Sequence, residues 1–132
     1  MSNATLYSIV ESPMHPDFSS VYKRVNIQEL KFRSMRKAIN ELKKQQPDYV
    51  VAEFFYGYGN NYAGVNISNL DVFLYSLQRY APQARVIVMV DKSERRYVDK
   101  LNEMFPLYAV LQHPVSKAEI ENLLRQGQNN LN

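Results

Sequence analysis

Residues 49–55 (YVVAEFF) and 85–90 (RVIVMV) are apolar almost without a break, Glu53 and Arg85 being the charged exceptions. A strand covered on one face alternates apolar with polar residues. A strand covered on both faces does not, and such strands belong to parallel sheets held between layers of helix. Two runs of this kind push the chain towards an α/β architecture. The segment between them agrees, because Leu70, Phe73, Leu74, Leu77 and Ala81 form a helical stripe. Ser68, with Asp71 three residues on, caps its start, and Pro82 stops it.

The remaining elements follow the same alternation. TLYSIV (Thr5 to Val10) is a short strand stopped by Ser12-Pro13, and the following ESPMHPDFSS is a loop. Val21 to Ile27 alternates enough to predict a second strand near a sheet edge, since one of its faces is charged. From Gln28 to Gln46 the period becomes helical, with Phe32, Met35, Ile39 and Leu42 on one stripe, until Pro47 ends it. After RVIVMV, Ser93 caps a helix carrying Tyr97, Val98, Leu101, Met104 and Phe105, and Pro106 closes it. Tyr108 to Leu111 is a last strand. Ser116 and Glu119 then form a capping box, with Val115 and Ile120 as its hydrophobic staple, and a helix runs to Arg125. Residues 127–132 read as a frayed polar tail. Five strands and four firm helices in alternation predict right-handed βαβ units in a three-layer sandwich, one domain spanning 1–132 with its core over 5–126.

Composition narrows the function. The chain has 132 residues, no cysteine, and no apolar run of the length that crosses a bilayer, so a cytoplasmic protein without disulfides or thiolate chemistry is expected. Its net charge of +3 is unevenly placed, with eight cations against two carboxylates between Lys23 and Lys44. His15 and His113 have no second ligand at metal-binding spacing, and no nucleophile elbow is present, so neither a metal nor a cofactor is expected.

The order of elements, PDYVVAEF, and the ending LQHPVSKAEIENLL resemble the receiver domain of bacterial two-component response regulators, over roughly residues 5 to 125. The resemblance implies a flavodoxin-like fold with a five-stranded parallel sheet of order 2-1-3-4-5. It also implies a phosphoryl-transfer pocket at the carboxyl ends of the strands, in which cations and donors surround one nucleophilic carboxylate. The family's acidic pair falls on Glu11 and Ser12, its acceptor aspartate on Glu53, its hydroxyl on Val90, its lysine on His113 before Pro114, and its aromatic switch on about Val110. The extra methylene of Glu53 displaces its oxygens by about a bond length from an in-line geometry. Val90 offers no hydroxyl, and a neutral imidazole replaces a permanent charge. Only about ten residues, Glu11 to Ser20, separate the first two strands in this reading, fewer than a parallel crossover needs, so the first helix should be short or missing. The resemblance thus implies a pseudo-receiver: a non-phosphorylatable, non-enzymatic protein-interaction module of bacterial signal transduction.

Three features are candidates for contact. Glu53 mimics the phosphorylated state, pairs with His113 or a nearby cation, or is a solvated strand-end carboxylate. The loop YGYGNNYAGVN (56–66) lies at the edge of the sheet where α/β proteins bind ligands, and Tyr56, Tyr58 and Tyr62 give it interface character; its glycines leave small-molecule or nucleotide binding as an alternative. Arg33, Arg36, Lys37 and Lys44 fall on one face of the helix expected over 28–46, suited to an acidic protein, with nonspecific nucleic-acid binding as the lesser alternative. The face built from strands 4 and 5 and the last helix is the candidate for a homodimer.

Overall fold

The structure is a computed structural model that describes residues 4–13, 16–57 and 68–129. Five strands form one parallel sheet in the order 2-1-3-4-5: β1 (Ala4–Ile9), β2 (Ile27–Phe32), β3 (Tyr49–Glu53), β4 (Arg85–Val90) and β5 (Ala109–Gln112). Helices α1 (Ser19–Arg24), α2 (Met35–Glu41), α3 (Asp71–Tyr80), α4 (Val98–Met104) and α5 (Lys117–Asn129) connect or follow them, and a 3-10 helix, Lys92–Tyr97, leads into α4. This is the three-layer α/β sandwich expected from the alternation, with the flavodoxin-like strand order that the resemblance implied and its first helix short.

The continuous apolar runs are explained by the two faces they serve. Successive strand residues point to opposite sides. Tyr7, Ile9, Val50, Ala52, Val86 and Val88 pack on one side with Ala38 and Leu42 after α2's start, Phe73 and Leu77 of α3, and Leu101 of α4. Leu6, Tyr49, Val51, Ile87 and Met89 pack on the other with Val21 and Tyr22 of α1 and Ile120 and Leu124 of α5. The register places Ile9, Ala52, Val88 and Val110 side by side across four strands. Strands β1, β3 and β4 therefore end at nearly the same level.

The second strand is not where the alternation put it. Residues 21–24 lie in α1, and the strand is Ile27–Phe32, inside the segment expected to be helix. Phe18, Val21, Tyr22 and Val25 are all buried at helical spacing, which outweighs the weaker period-two pattern of the same residues. β2 is an edge strand whose positions after the buried Ile27 are exposed or half-buried, so its residues IQELKF carry little strand signal. The helix over 28–46 is correspondingly shorter. Ser34 caps α2 by accepting from the Lys37 backbone N–H at 3.2 Å, and α2 keeps only seven residues. Arg33 sits in the β2–α2 turn and Lys44 beyond the helix end, so the basic face on one helix is a correction: Arg36 and Lys37 alone of the four lie on α2. The crossover from β1 to β2 spans residues 10–26, longer than the ten or so expected, because the second strand starts at Ile27, and it holds the short α1.

Two smaller differences concern ends. Asp91, not Ser93, caps the helix after β4, its carboxylate accepting from the Ser93 N–H at 3.0 Å. At the carboxyl end, α5 runs to Asn129, into the segment read as tail. Gly127 packs against the Tyr49 ring, Arg85 donates to the Gly127 carbonyl at 3.1 Å, and Gln128 donates to the Val25 carbonyl at 2.9 Å. The capping box of Ser116 and Glu119 is present, with reciprocal bonds of 2.9 and 3.2 Å.

Candidate functional site

Because the strands end level, the residues that follow them meet at the carboxyl edge of the sheet, where open α/β sheets bind ligands. Glu11 and Ser12 follow β1, Glu53 ends β3, Val90 ends β4 and His113 follows β5. The His113 backbone N–H donates to the Val90 carbonyl at 2.9 Å, extending the β4–β5 ladder by one bond. The His113-Pro114 peptide is cis.

Glu53 is the chemical centre of the group. It is 5% exposed, its Oε2 lies 3.8 Å from His113 Nε2, and its Oε1 has no hydrogen-bond partner among the described residues. At 3.8 Å the contact to His113 is too long for a hydrogen bond. Burial pushes the Glu53 carboxyl above its usual range; the backbone N–H of Ser12, which donates to it, opposes this, and the nearby Glu11 charge reinforces it. Val90 is fully buried and presents only methyl groups.

Glu11 is turned to a different task. Its Oε1 accepts from the Asn69 side-chain amide at 2.7 Å, and it lines a separate cavity with Lys31 and Arg33. Asn69 went unnoticed in the sequence, yet it ties three segments. Its amide also donates to the Glu53 carbonyl at 2.9 Å, and its side-chain oxygen accepts from the Phe55 N–H at 2.7 Å. An asparagine just after a serine expected to cap a helix is too ordinary a pattern to signal this; the N-cap position of α3 is Leu70, whose N–H donates to the Ser68 hydroxyl at 3.1 Å. The Ser68–Asp71 pair beside it is formed, with Asp71 accepting from both the N–H and the hydroxyl of Ser68 at 2.9 Å.

Beside Glu53 opens a cavity of about 730 Å³. Phe54, Phe55, Pro16, Pro114 and Val115 supply apolar wall, and Glu53, His113, Ser12, Asp91, Ser93 and Glu94 supply the polar groups. Asp91 is held below the usual carboxylate range by the Ser93 hydroxyl and then its N–H. Glu94 accepts from the Tyr56 N–H at 3.0 Å. The cavity thus presents a buried carboxyl and two surface carboxylates to an apolar interior.

Of the other candidates, Tyr56 is 48% exposed and its ring stacks on Tyr97 with centroids 3.6 Å apart. The Arg96 guanidinium lies 4.9 Å from the centre of the Tyr97 ring. Tyr58 and Tyr62 lie outside the described residues. Arg33, Arg36, Lys37 and Lys44 are all exposed, distributed over a turn, a helix and a second turn. No helix among the described residues is long and apolar enough to cross a membrane.

Neither a protein-family model nor a curated protein matches the sequence. Solved structures do match the fold. The signal receiver domain of an HD domain-containing protein from Pseudomonas fluorescens Pf-5 is similar with a TM-score of 0.76 at 12% identity, over 98% of this chain and 97% of that one. A response regulator receiver domain protein from Clostridium thermocellum gives 0.74 at 12% identity, over 96% and 95%. The BeF3-activated DrrB receiver domain gives 0.72 at 11% identity, over 97% and 99%. At these identities the likeness establishes the fold alone: the described residues have the architecture of a receiver domain.

Proposed function

We propose that this protein is a pseudo-receiver, a signalling module of the bacterial cytoplasm that works through protein contacts and takes up no phosphoryl group at Glu53. One observation carries the reading. The carboxyl that ends β3 is buried, inclined to its neutral form, and faced by an imidazole 3.8 Å away. A phosphoryl group in transfer spreads negative charge over three oxygens and needs cations and donors placed around it. No Lys or Arg lines the cavity on which Glu53 opens.

The fold family implies a divalent cation beside the acceptor, and these residues do not suit one. Hard cations take six or more oxygens, several of them from carboxylates. Glu11 is engaged with Asn69 and lines the neighbouring cavity, and no group of three His, Cys, Asp or Glu suited to a metal occurs among the described residues.

For the partner surface, the stacked Tyr56 and Tyr97 with Arg96 offer the aromatic and arginine side chains that interfaces favour. Self-association through β4, β5 and α5 draws support from β5, an edge strand with half-exposed side chains. The basic residues of 33–44 do not share one helix, which weighs against a nucleic-acid groove reader.

The test is incubation of the chain with acetyl phosphate and Mg²⁺, followed by intact mass and peptide mapping. Unmodified protein is expected. An acyl-phosphate at Glu53, or a Mg²⁺-dependent change in tyrosine fluorescence, overturns the proposal.

A further inference from the structure

The cavity beside Glu53 has a size, a wall and a charge, and together they specify what would fill it. Its volume of about 730 Å³ lies inside the range of roughly 300–1,000 Å³ typical of small-molecule sites, which pair apolar walls with a few polar groups. Phe55 and Val115 are part of an apolar wall able to take a ring. The polar groups are less usual. Three carboxyls, Glu53, Asp91 and Glu94, line the cavity, and the only basic group among its lining residues is His113. Neither Asp91 nor Glu94 is in an ion pair with Lys or Arg among the described residues.

The second and independent sign of a ligand is Glu53 itself. A carboxylate 95% removed from solvent is normally paired or fully hydrogen-bonded, because an uncompensated buried charge costs several kcal/mol. Here Oε1 has no partner among the described residues, and the imidazole stands beyond hydrogen-bond distance. The Ser12 backbone N–H donates to this carboxyl, yet Oε1 is left without a donor among the described residues.

We propose that this cavity binds a small organic cation, a primary ammonium carried on an aromatic or alicyclic body. The ammonium would donate to Glu53 and neutralise it, Asp91 and Glu94 would draw the cation to the mouth, and the ring would lie against Phe55 and Val115. A phosphate or carboxylate ligand would meet the like charges of Asp91 and Glu94 and gain no cation from Glu53. A bare metal ion would lack donors, as no three-residue ligand group is present among the described residues. The inference uses the pocket of the preceding subsection but not its conclusion about phosphoryl transfer.

The experiment titrates the isotope-labelled full chain with benzylamine, phenethylamine and tryptamine, and with the carboxylates of the same skeletons, reading amide chemical shifts. Saturable shifts confined to residues around 12, 53–55, 91–94 and 113–115 are expected for at least one amine and for none of the carboxylates. Glu53→Gln should weaken that binding at least about tenfold, the scale of one lost charged contact. His113→Lys, which places a competing ammonium beside Glu53 on a half-exposed side chain, should do the same; it decides the matter if Glu53→Gln does not fold. Absence of shifts with every amine, equal binding of amines and carboxylates, or undiminished binding to both variants overturns the inference. An acetyl phosphate arm on the same sample reports separately on phosphoryl transfer.

Discussion

His113 Nε2 and Glu53 Oε2 face each other at 3.8 Å across the carboxyl ends of β5 and β3, with β4 lying between the two strands. The pair is too far apart for a hydrogen bond, and burial raises the Glu53 carboxyl above its usual range, so its charge depends on pH.

Stability should record that dependence. The folded Glu53 carboxyl titrates above its unfolded value of about 4.5 because of burial. The folded protein thus holds this proton more tightly than the unfolded chain. The stability so gained is full below the unfolded value and is lost as pH rises through the folded one. Replacing Glu53 by Gln removes the titration, so the variant should gain on the parent in urea stability as pH is raised from about 4 to 8. A stability difference that does not change with pH contradicts this.

Asn69→Ala should cost about 2–3 kcal/mol, since it strips the Phe55 N–H and the Glu53 carbonyl of their side-chain partner and leaves Glu11 without its amide. Hydrogen exchange should locate the loss: the Phe55 amide should exchange faster while those of β1 remain protected. Equal protection at Phe55 would show that the bridge is dispensable.

Tyr56 and Tyr97 should be coupled by about 0.5–1.5 kcal/mol in a double-mutant cycle to alanine, as expected for aromatic rings in contact. Near-ultraviolet circular dichroism should change in each single variant and change no further in the double. Strict additivity would mean that the stack does not persist in solution.

Gly127→Ala tests the end of α5. A Cβ there would lie 2.9 Å from Tyr49 Cε1 and 3.0 Å from Cζ, and the ring is held in the sheet's buried face. Helix propensity favours alanine by about 1 kcal/mol. Overpacking of a rigid core site costs about 1–3 kcal/mol, so net destabilisation is expected in urea unfolding. Removing the phenolic oxygen with Tyr49→Phe should recover part of the loss.

Much of the fold was legible because burial on both faces leaves a signature that survives without neighbours. Residues 49–53 and 85–90 read as strands because their near-continuous apolarity suits a sheet covered on both faces, and the Ser116–Glu119 box announced α5 through spacing alone. β2 was not legible. Its residues lie at a sheet edge with little to bury, and Phe32, Met35, Ile39 and Leu42 join one core from a strand, a helix and its end, where their spacing mimics a single helix. Asn26, at φ 61°, ends the α1 region by a backbone turn that residue type only permits.

The site divides in the same way. Order along the chain was enough to say which residues end the strands, because a parallel sheet of order 2-1-3-4-5 brings those ends to one edge whatever the side chains are. Which of them touch was settled by packing between distant segments. Asn69 draws Glu11 aside, Tyr56 turns onto Tyr97, and Glu53 is left buried at 3.8 Å from His113. Local periodicity encodes only the surroundings averaged along one element, whereas distances and unmet hydrogen bonds arise from elements that meet in space and are set together.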